Sequence, residues 1–468
     1  MPRLMRCLFC GQLQDEPSGV KDCTRCGGEL AFEGAPPPEA AGNYLTVQME
    51  LDQVAAPPGR MVDRHLIVTL RTPKEVPHEQ AAPASSGRPA LNFAAVLDVS
   101  GSMAGEKLAN AKEALRQAML RLHAGDAVSM TVFSDKARVI LPPSEMNEES
   151  RQVFLSAVQE MQAGGMTALD GGLATGIQQA AANMRPNNLA LLLSDGLANV
   201  GETDLEKVGL RARQAREAGL VVSTLGVGLD YNEALMQNIA SEGGGRFYHV
   251  RGAAEIATYL LGELGEIAAL AARQAELHLT IPPGATLMAF SATYPVRQEQ
   301  GQAVVSIGNV PCDTELEITL RLTLPGGRAG ERASVEGALH YTSPVDRSLQ
   351  AALNRVTVRY LDKAAITPGE GVVIPVVERV LEQMKAASVL EYSRASYRSA
   401  PEAARSAGQN VERIRAYATL LGEEAAAAYA AEVDQSLHAM AASPISSKAA
   451  VQAAHAVHRS SKDFKDNK

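Results

Sequence analysis

Between residues 90 and 268, short apolar runs alternate with segments whose apolar residues recur at helical spacing. The run at 91–97 is almost continuously apolar, which is typical of a strand buried on both faces of a sheet. This alternation predicts a doubly wound, Rossmann-like α/β domain over residues 90–268. The predicted strands are 91–97, 127–133, 189–194, 221–226 and 246–250, and the predicted helices are 106–122, 149–161, 169–184, 205–218, 232–241 and 253–264.

On either side of this domain, apolar residues alternate with polar ones, which is the pattern of half-buried strands. We therefore expect one all-β sandwich, made of a first part at 44–80 and a second part at 270–362. The α/β domain would be inserted between the two parts. Separate packing of the two parts is the alternative, and insertion is favoured because a lone two-stranded hairpin is only marginally stable.

The two ends of the chain differ from these domains. Residues 370–468 are predicted to be a helical C-terminal region, with helices at 372–397, 401–421 and 423–440. These helices suit either contact with a partner or packing within the chain, and we favour packing against the sandwich. A Pro-rich stretch at 35–43 is expected to be an extended linker.

Four of the five cysteines lie within residues 1–34, as Cys7, Cys10, Cys23 and Cys26. Two Cys-x-x-Cys-Gly units provide a tetrahedral set of thiolates suited to structural Zn²⁺, and the pattern resembles a zinc ribbon. Two disulfides or a redox-active pair are the alternatives. The segment has four basic and five acidic residues, so we expect a role in protein docking or stability rather than in binding nucleic acid.

The composition of the whole chain excludes some classes of function. Its formal net charge is -9, which argues against broad binding to nucleic acid or to anionic membranes. No apolar run reaches the 18 or more residues typical of a membrane span. The N-terminal residues lack the apolar core of a signal peptide and are followed at once by thiols, so we expect a cytoplasmic protein.

Five oxygen-bearing side chains follow the predicted strands or lie in an adjacent loop. Asp98 directly follows the predicted strand 91–97, Ser100 and Ser102 lie in the turn after it, and Asp195 directly follows the predicted strand 189–194. Thr167 follows a Gly-Gly turn. Each residue alone also suits an ordinary turn or helix cap. Together they lie where parallel strands of an α/β sheet end, and hydroxyls with only two carboxylates suit Mg²⁺.

The pattern Asp98-x-Ser100-x-Ser102, followed by Thr167 and Asp195, resembles the metal-ion-dependent adhesion site (MIDAS) of von Willebrand factor type A (VWA) domains, in particular of bacterial members. The resemblance implies that Mg²⁺ is held by the serines and the threonine, with the aspartates bound directly or through water. It also implies that a Glu or Asp of a partner protein takes the sixth position. The predicted sandwich around the domain loosely resembles inter-alpha-trypsin-inhibitor-type VWA proteins.

Several catalytic patterns are missing from the sequence. It contains no His-x-x-x-His pair, no nucleophile elbow and no Gly-x-x-x-x-Gly-Lys phosphate loop. We therefore expect a non-catalytic scaffold or interaction protein that binds an acidic partner residue through the predicted Mg²⁺. The alternative is an accessory subunit of a MoxR- or chelatase-like AAA+ ATPase. Metal-assisted hydrolysis is disfavoured, since no general base is evident beside the metal.

Overall fold

The computed structural model describes residues 43–77, 89–361 and 371–459, together with three short strands near the N-terminus. Those strands are β1 (Leu4–Cys7), β2 (Leu13–Asp15) and β3 (Leu30–Phe32). They form an antiparallel sheet with β1 in the centre. Of the predicted linker 35–43, only Asn43 lies within the described residues.

The chain divides into two compact units, each built from three segments. The first unit comprises Met1–Gln80, Ala271–Ala387 and Gly408–Val433, and the second comprises Ala81–Leu270, Ser388–Ala407 and Asp434–Lys468.

The first unit contains two larger sheets. Its strands are β4 (Thr46–Leu51), β5 (Ala55–Ala56), β6 (Val62–Arg71), β13 (Leu270–Thr280), β14 (Thr286–Ala289), β15 (Val296–Glu299), β16 (Gln302–Pro311), β17 (Glu315–Leu324), β18 (Arg332–Thr342), β19 (Ser348–Ala352) and β20 (Val356–Tyr360). One sheet has the order β14-β17-β6-β4 and is antiparallel throughout. The other has the order β15-β16-β13-β18-β20-β5, with β19 also paired to β18.

Strands from both sides of the α/β segment meet in this unit. β6 pairs with β17 along its whole length, from Val62 opposite Leu324 to Arg71 opposite Glu315. The two sheets share one apolar core, which includes Leu66 of one sheet and Leu277 of the other. The alternating burial of β17 is what the period-two sequence pattern predicts, since successive side chains of a strand point to opposite faces.

The second unit contains a six-stranded sheet. Its strands are β7 (Leu91–Asp98), β8 (Ala127–Phe133), β9 (Ala137–Glu145), β10 (Asn187–Ser194), β11 (Val221–Val227) and β12 (Gly244–Val250), in the order β12-β11-β10-β7-β8-β9. The central strands β7, β8 and β10 are buried along their whole length. The helices between the strands are α1 (Glu106–Arg121), α2 (Glu148–Glu160), α3 (Leu169–Ala181), α4 (Leu205–Glu217), α5 (Glu233–Glu242) and α6 (Ile256–Ala268).

One strand of this sheet differs from the sequence prediction. β9 was not expected, and it pairs antiparallel with β8 at the edge of an otherwise parallel sheet. It contains Pro142 and Pro143, which depress any strand prediction because proline cannot donate to a ladder. An edge strand tolerates proline, since one of its sides has no partner strand.

Four helices follow the second set of β-strands. They are α7 (Ile374–Arg398), α8 (Ala400–Ala418), α9 (Glu423–Ala442) and α10 (Pro444–Arg459). The sequence did not predict α10, whose buried residues include Lys448 and His455. α10 belongs to the second unit, where it packs against α5 and β12.

Lys448 explains why this polar segment is buried. Its Nζ donates to Glu233 Oε2 at 2.7 Å and to the carbonyl of Tyr231 at 2.9 Å. A buried lysine is tolerated where a carboxylate compensates its charge.

Among the helices of the described ranges, none is both long and apolar enough to cross a bilayer.

Candidate functional site

The candidate site lies where two neighbouring parallel strands end. β7 ends at Asp98, β10 ends at Ser194, and Asp195 follows directly. The two strands pair in register up to Leu97 opposite Leu193, so their carboxyl ends meet at one edge of the sheet. Ser194 Oγ donates to Asp98 Oδ2 at 2.5 Å and so joins the two strand ends.

The turn after β7 brings the two serines to the aspartates. The backbone N–H of Ser100 donates to Asp98 Oδ1 at 2.8 Å, which closes a tight turn. Ser100 Oγ lies 3.1 Å from Ser102 Oγ, and Ser102 Oγ donates to Asp195 Oδ1 at 2.8 Å. Four of the five predicted site residues are therefore joined by hydrogen bonds.

Thr167 reaches the site from a separate loop. That loop is tied to the turn after β7 by two backbone hydrogen bonds, from Gly101 N to Gly165 O at 3.0 Å and from Gly164 N to Val99 O at 2.8 Å. The N–H of Thr167 itself donates to Asn199 Oδ1 at 2.9 Å. Thr167 is buried, so its position is set by packing as well as by these bonds.

Gly196 marks the point on which the oxygens converge. A Cβ atom built on it would lie 3.0 Å from Thr167 Oγ1, 3.4 Å from Ser102 Oγ and 3.7 Å from Asp98 Oδ2. Oxygens from two separate segments, the 98–102 turn and the loop of Thr167, therefore surround one small space that a side chain on Gly196 would fill. Glycine leaves that space open, which the sequence could only indicate as a tight Asp-Gly turn.

The electrostatics of this space favour a cation. Asp98 and Asp195 are both fully buried. Burial raises the pKa of Asp98, and the Asp195 carboxylate acts in the same direction, whereas hydrogen bonds from Ser194 and Ser100 oppose the rise. Lys107 of α1 donates to Asp195 Oδ2 and is the positive side chain in contact with the pair. A bound cation would favour the ionised carboxylates that burial disfavours.

The donor set fits a hard divalent cation. All five side chains offer oxygen, three as hydroxyls and two as carboxylates, and oxygen ligands are those that Mg²⁺ prefers. Within the described ranges, no three His, Cys, Asp or Glu side chains group together as a metal site. That finding is compatible with a site built from two carboxylates and three hydroxyls.

Three residues of the site were not identified from the sequence: Ser194, Asn199 and Lys107. Ser194 had a detectable signal, because it is a polar residue at the end of a buried apolar strand. Asn199 and Lys107 had none, since their contacts depend on how a loop and a helix are placed against the sheet edge.

The predicted zinc ligands lie largely outside the described residues. Cys10, Cys23 and Cys26 lie outside the described residues, and Cys7 lies in β1, whose side chains are not described. The fifth cysteine, Cys312, is partly buried and packs against the core of the first unit.

Known proteins match the α/β segment of the chain. Residues 92–260 match the family model described as von Willebrand factor type A domain. The uncharacterized protein YfbK of Escherichia coli is 26% identical over 249 residues, covering 52% of this chain and 43% of that protein. The protein sll0103 of Synechocystis is 27% identical over 265 residues, covering 54% and 62%. Inter-alpha-trypsin inhibitor heavy chain H3 of Homo sapiens is 32% identical over 166 residues, covering 33% and 18%. The chain thus spans less than two thirds of each of these relatives.

Two solved structures resemble the chain over most of its length. A von Willebrand factor type A protein from Catenulispora acidiphila has a TM-score of 0.59 at 17% identity, covering 86% of this chain and 91% of that one. The ArnB paralog VWA2 from Sulfolobus acidocaldarius has a TM-score of 0.56 at 16% identity, covering 88% and 98%. At such identities the likeness concerns the fold alone. Taken with the family match, it means that residues 92–260 of this chain are a von Willebrand factor type A domain.

Proposed function

We propose that this chain is a non-catalytic interaction or scaffold protein that binds an acidic side chain of a partner through Mg²⁺. The cation would be held by Asp98, Ser100, Ser102, Thr167 and Asp195. The observation that carries the proposal is the convergence of oxygens from Thr167, Ser102 and Asp98 around Gly196.

The composition of the site favours an outside carboxylate. Mg²⁺ prefers six oxygen ligands in octahedral geometry. Five protein side chains leave at least one position for another ligand, and Ser102 lies on the exposed side of the site. The two positive charges of Mg²⁺ are balanced by Asp98 and Asp195, and a coordination position left open on the cation accepts a further oxygen ligand. An acidic side chain is the charged oxygen ligand that a protein partner offers.

The hydrogen bonds of Asp98 and Asp195 favour a binding role over catalysis. Asp195 is hydrogen-bonded to Ser102 and to Lys107, and Asp98 to Ser100 and Ser194. Groups held in this way suit a rigid coordination site. His249, the histidine of β12, is buried, with Nδ1 2.8 Å from the hydroxyl of Tyr231, so a structural role accounts for it.

The test is a peptide selection with defined metal conditions. A random peptide library displayed on phage would be bound to the immobilised protein in Mg²⁺ and eluted with EDTA. We expect the eluted peptides to share an Asp or Glu, and to lose binding when that residue becomes Asn or Gln. Asp98→Ala and Ser100→Ala should abolish capture, whereas Ser144→Ala, at a partly buried serine of β9, should not. Capture that survives EDTA and both site variants would exclude the proposal.

Other predictions complete the proposal. We propose that the two sheets of the first unit form a β-sandwich interrupted by the VWA domain, which the β6–β17 pairing supports. We also propose that residues 1–34 bind Zn²⁺, and the three-stranded sheet of β1, β2 and β3 supports a folded unit there.

A cytoplasmic location stays a prediction. So does the AAA+ accessory role, which stimulation of a partner ATPase on mixing would support.

A further inference from the structure

We propose that Lys107 is a built-in competitor of the divalent cation and sets the affinity of the site by holding Asp195. This inference rests on the proposed function, because it concerns the same metal site. It adds a side chain that is absent from the five-residue motif and assigns it a role opposite to that of a ligand.

The contacts of Asp195 place the ammonium within the site. Lys107 Nζ donates to Asp195 Oδ2, and Ser102 Oγ donates to the other carboxylate oxygen at 2.8 Å. Both oxygens of a fully buried carboxylate are therefore engaged. The Lys107 side chain is 28% exposed and that of Asp195 is fully buried, so this ion pair is partly shielded from solvent.

Packing holds Lys107 in this position. A Cβ atom built on Gly228 would lie 3.7 Å from both Cε and Nζ of Lys107, so the lysine lies against the loop that follows β11. Gly228 has a φ of +76°, a backbone conformation that favours glycine. Asp230 lies 4.0 Å from Nζ, but its side chain is 77% exposed and holds the ammonium weakly.

The location of Lys107 on its helix argues for a specific role. α1 begins at Glu106, so Lys107 is in the first turn. A positive charge is disfavoured at this end of a helix, because the free N–H groups there carry partial positive charge. The contact with Asp195 compensates for that unfavourable placement.

Two opposite consequences follow from this geometry. A divalent cation bound to these carboxylates is repelled by the ammonium beside it, so removing the ammonium should strengthen metal binding. Without added metal, removing the ammonium leaves a buried carboxylate uncompensated, so the protein should become less stable. A residue with a purely structural role would weaken both properties when it is replaced.

The experiment is calorimetric titration of the full chain with MgCl₂, paired with thermal unfolding in EDTA and in Mg²⁺. Lys107→Met should bind Mg²⁺ roughly tenfold more tightly than the wild type and should unfold at a lower temperature in EDTA. Lys107→Arg keeps the charge and should bind as the wild type does. Lys112→Met removes the same charge from the same helix and should leave Mg²⁺ affinity unchanged, because Lys112 Nζ donates to the carbonyls of Gln159 and Met161, away from the site.

A second variant and a site variant keep the outcomes distinct. Lys107→Gln also removes the charge but retains a hydrogen-bond donor for Asp195, and it should likewise bind Mg²⁺ more tightly than the wild type. It replaces Lys107→Met in the comparison if that variant does not fold. Asp98→Ala should abolish Mg²⁺ binding. If it does so while both neutral variants bind Mg²⁺ no more tightly than the wild type, the role of Lys107 is overturned and the metal site stands. If Asp98→Ala binds Mg²⁺ as the wild type does, the proposed metal site itself is wrong.

Discussion

Ser194 Oγ lies 2.5 Å from Oδ2 of Asp98, a hydrogen bond between the last residues of two adjacent parallel strands. The bond holds the carboxylate of Asp98, a proposed metal ligand, in position. Partners of this kind typically affect metal affinity by about 10- to 100-fold. We expect Ser194→Ala to weaken Mg²⁺ binding in calorimetry by a factor in that range. Ser129→Ala, at a buried serine of the neighbouring strand β8, should leave the affinity unchanged, and equal affinities for the two variants would contradict this role.

Gly196 should be essential for the site although it offers no ligand. In Gly196→Ala the new methyl group would lie 3.0 Å from Thr167 Oγ1 and 3.4 Å from Ser102 Oγ, in the space where the oxygens converge. We expect roughly tenfold weaker Mg²⁺ binding or more. Gly164 lies in the loop that leads to Thr167 and has nothing within 4 Å of a built Cβ. Gly164→Ala is therefore the matched control, and a comparable loss in both variants would count against the convergence.

Substitutions of two glycines on α3 test how the VWA domain is packed, independently of metal binding. In Gly176→Ala the added methyl group would lie 2.2 Å from Val96 Cγ2 of β7, so the helix would be forced away from the sheet. We expect a loss of about 1–3 kcal/mol in the free energy of unfolding. Gly171→Ala on the same helix meets nothing within 4 Å and should gain up to about 1 kcal/mol. Urea unfolding measures both, and a stable Gly176→Ala would contradict the packing.

His455 on α10 should make the protein sensitive to acid. Burial lowers its pKa to about 3, and the nearby guanidinium groups of Arg459 and Arg246 act in the same direction. The folded protein keeps this histidine neutral, whereas the unfolded chain takes up a proton below the ordinary value of about 6.5. Its contribution to stability is thus complete above pH 6.5 and is lost as the pH falls toward 3.

The measurement for His455 is the free energy of unfolding between pH 6.5 and 4. His455→Gln should reduce the slope against pH by up to about 1.4 kcal/mol per pH unit, which corresponds to one proton. His438→Gln on α9 is the control, because its side chain is 77% exposed. Equal slopes for the wild type and His455→Gln would show that the histidine is not held neutral.

The sequence predicted the location of the aspartates for a simple reason. Asp98 and Asp195 follow apolar runs, and the carboxyl ends of parallel strands meet at one edge of a sheet. The structure places both residues at that edge. Thr167 was assigned through the motif as a whole, because its approach depends on a loop held by Gly101 and Gly165.

Other features could not be predicted because long-range contacts decide them. α10 is polar in sequence, and its Lys448 is buried because Glu233, 215 residues earlier in the chain, supplies a carboxylate. β9 contains two prolines that an edge position tolerates. The contact of Lys107 with Asp195 depends on how α1 is rotated against the sheet, which helical periodicity does not determine.

The most direct test of the central claim is a crystal structure of the protein grown with Mn²⁺ and glutarate, with anomalous data collected to locate the metal. We expect an anomalous peak within about 2–2.5 Å of the hydroxyl oxygens of Ser100 and Ser102, close to Thr167, Asp98 and Asp195, with a glutarate carboxylate completing the coordination. The absence of a peak at these five side chains, or a metal enclosed by protein ligands alone, would contradict the claim.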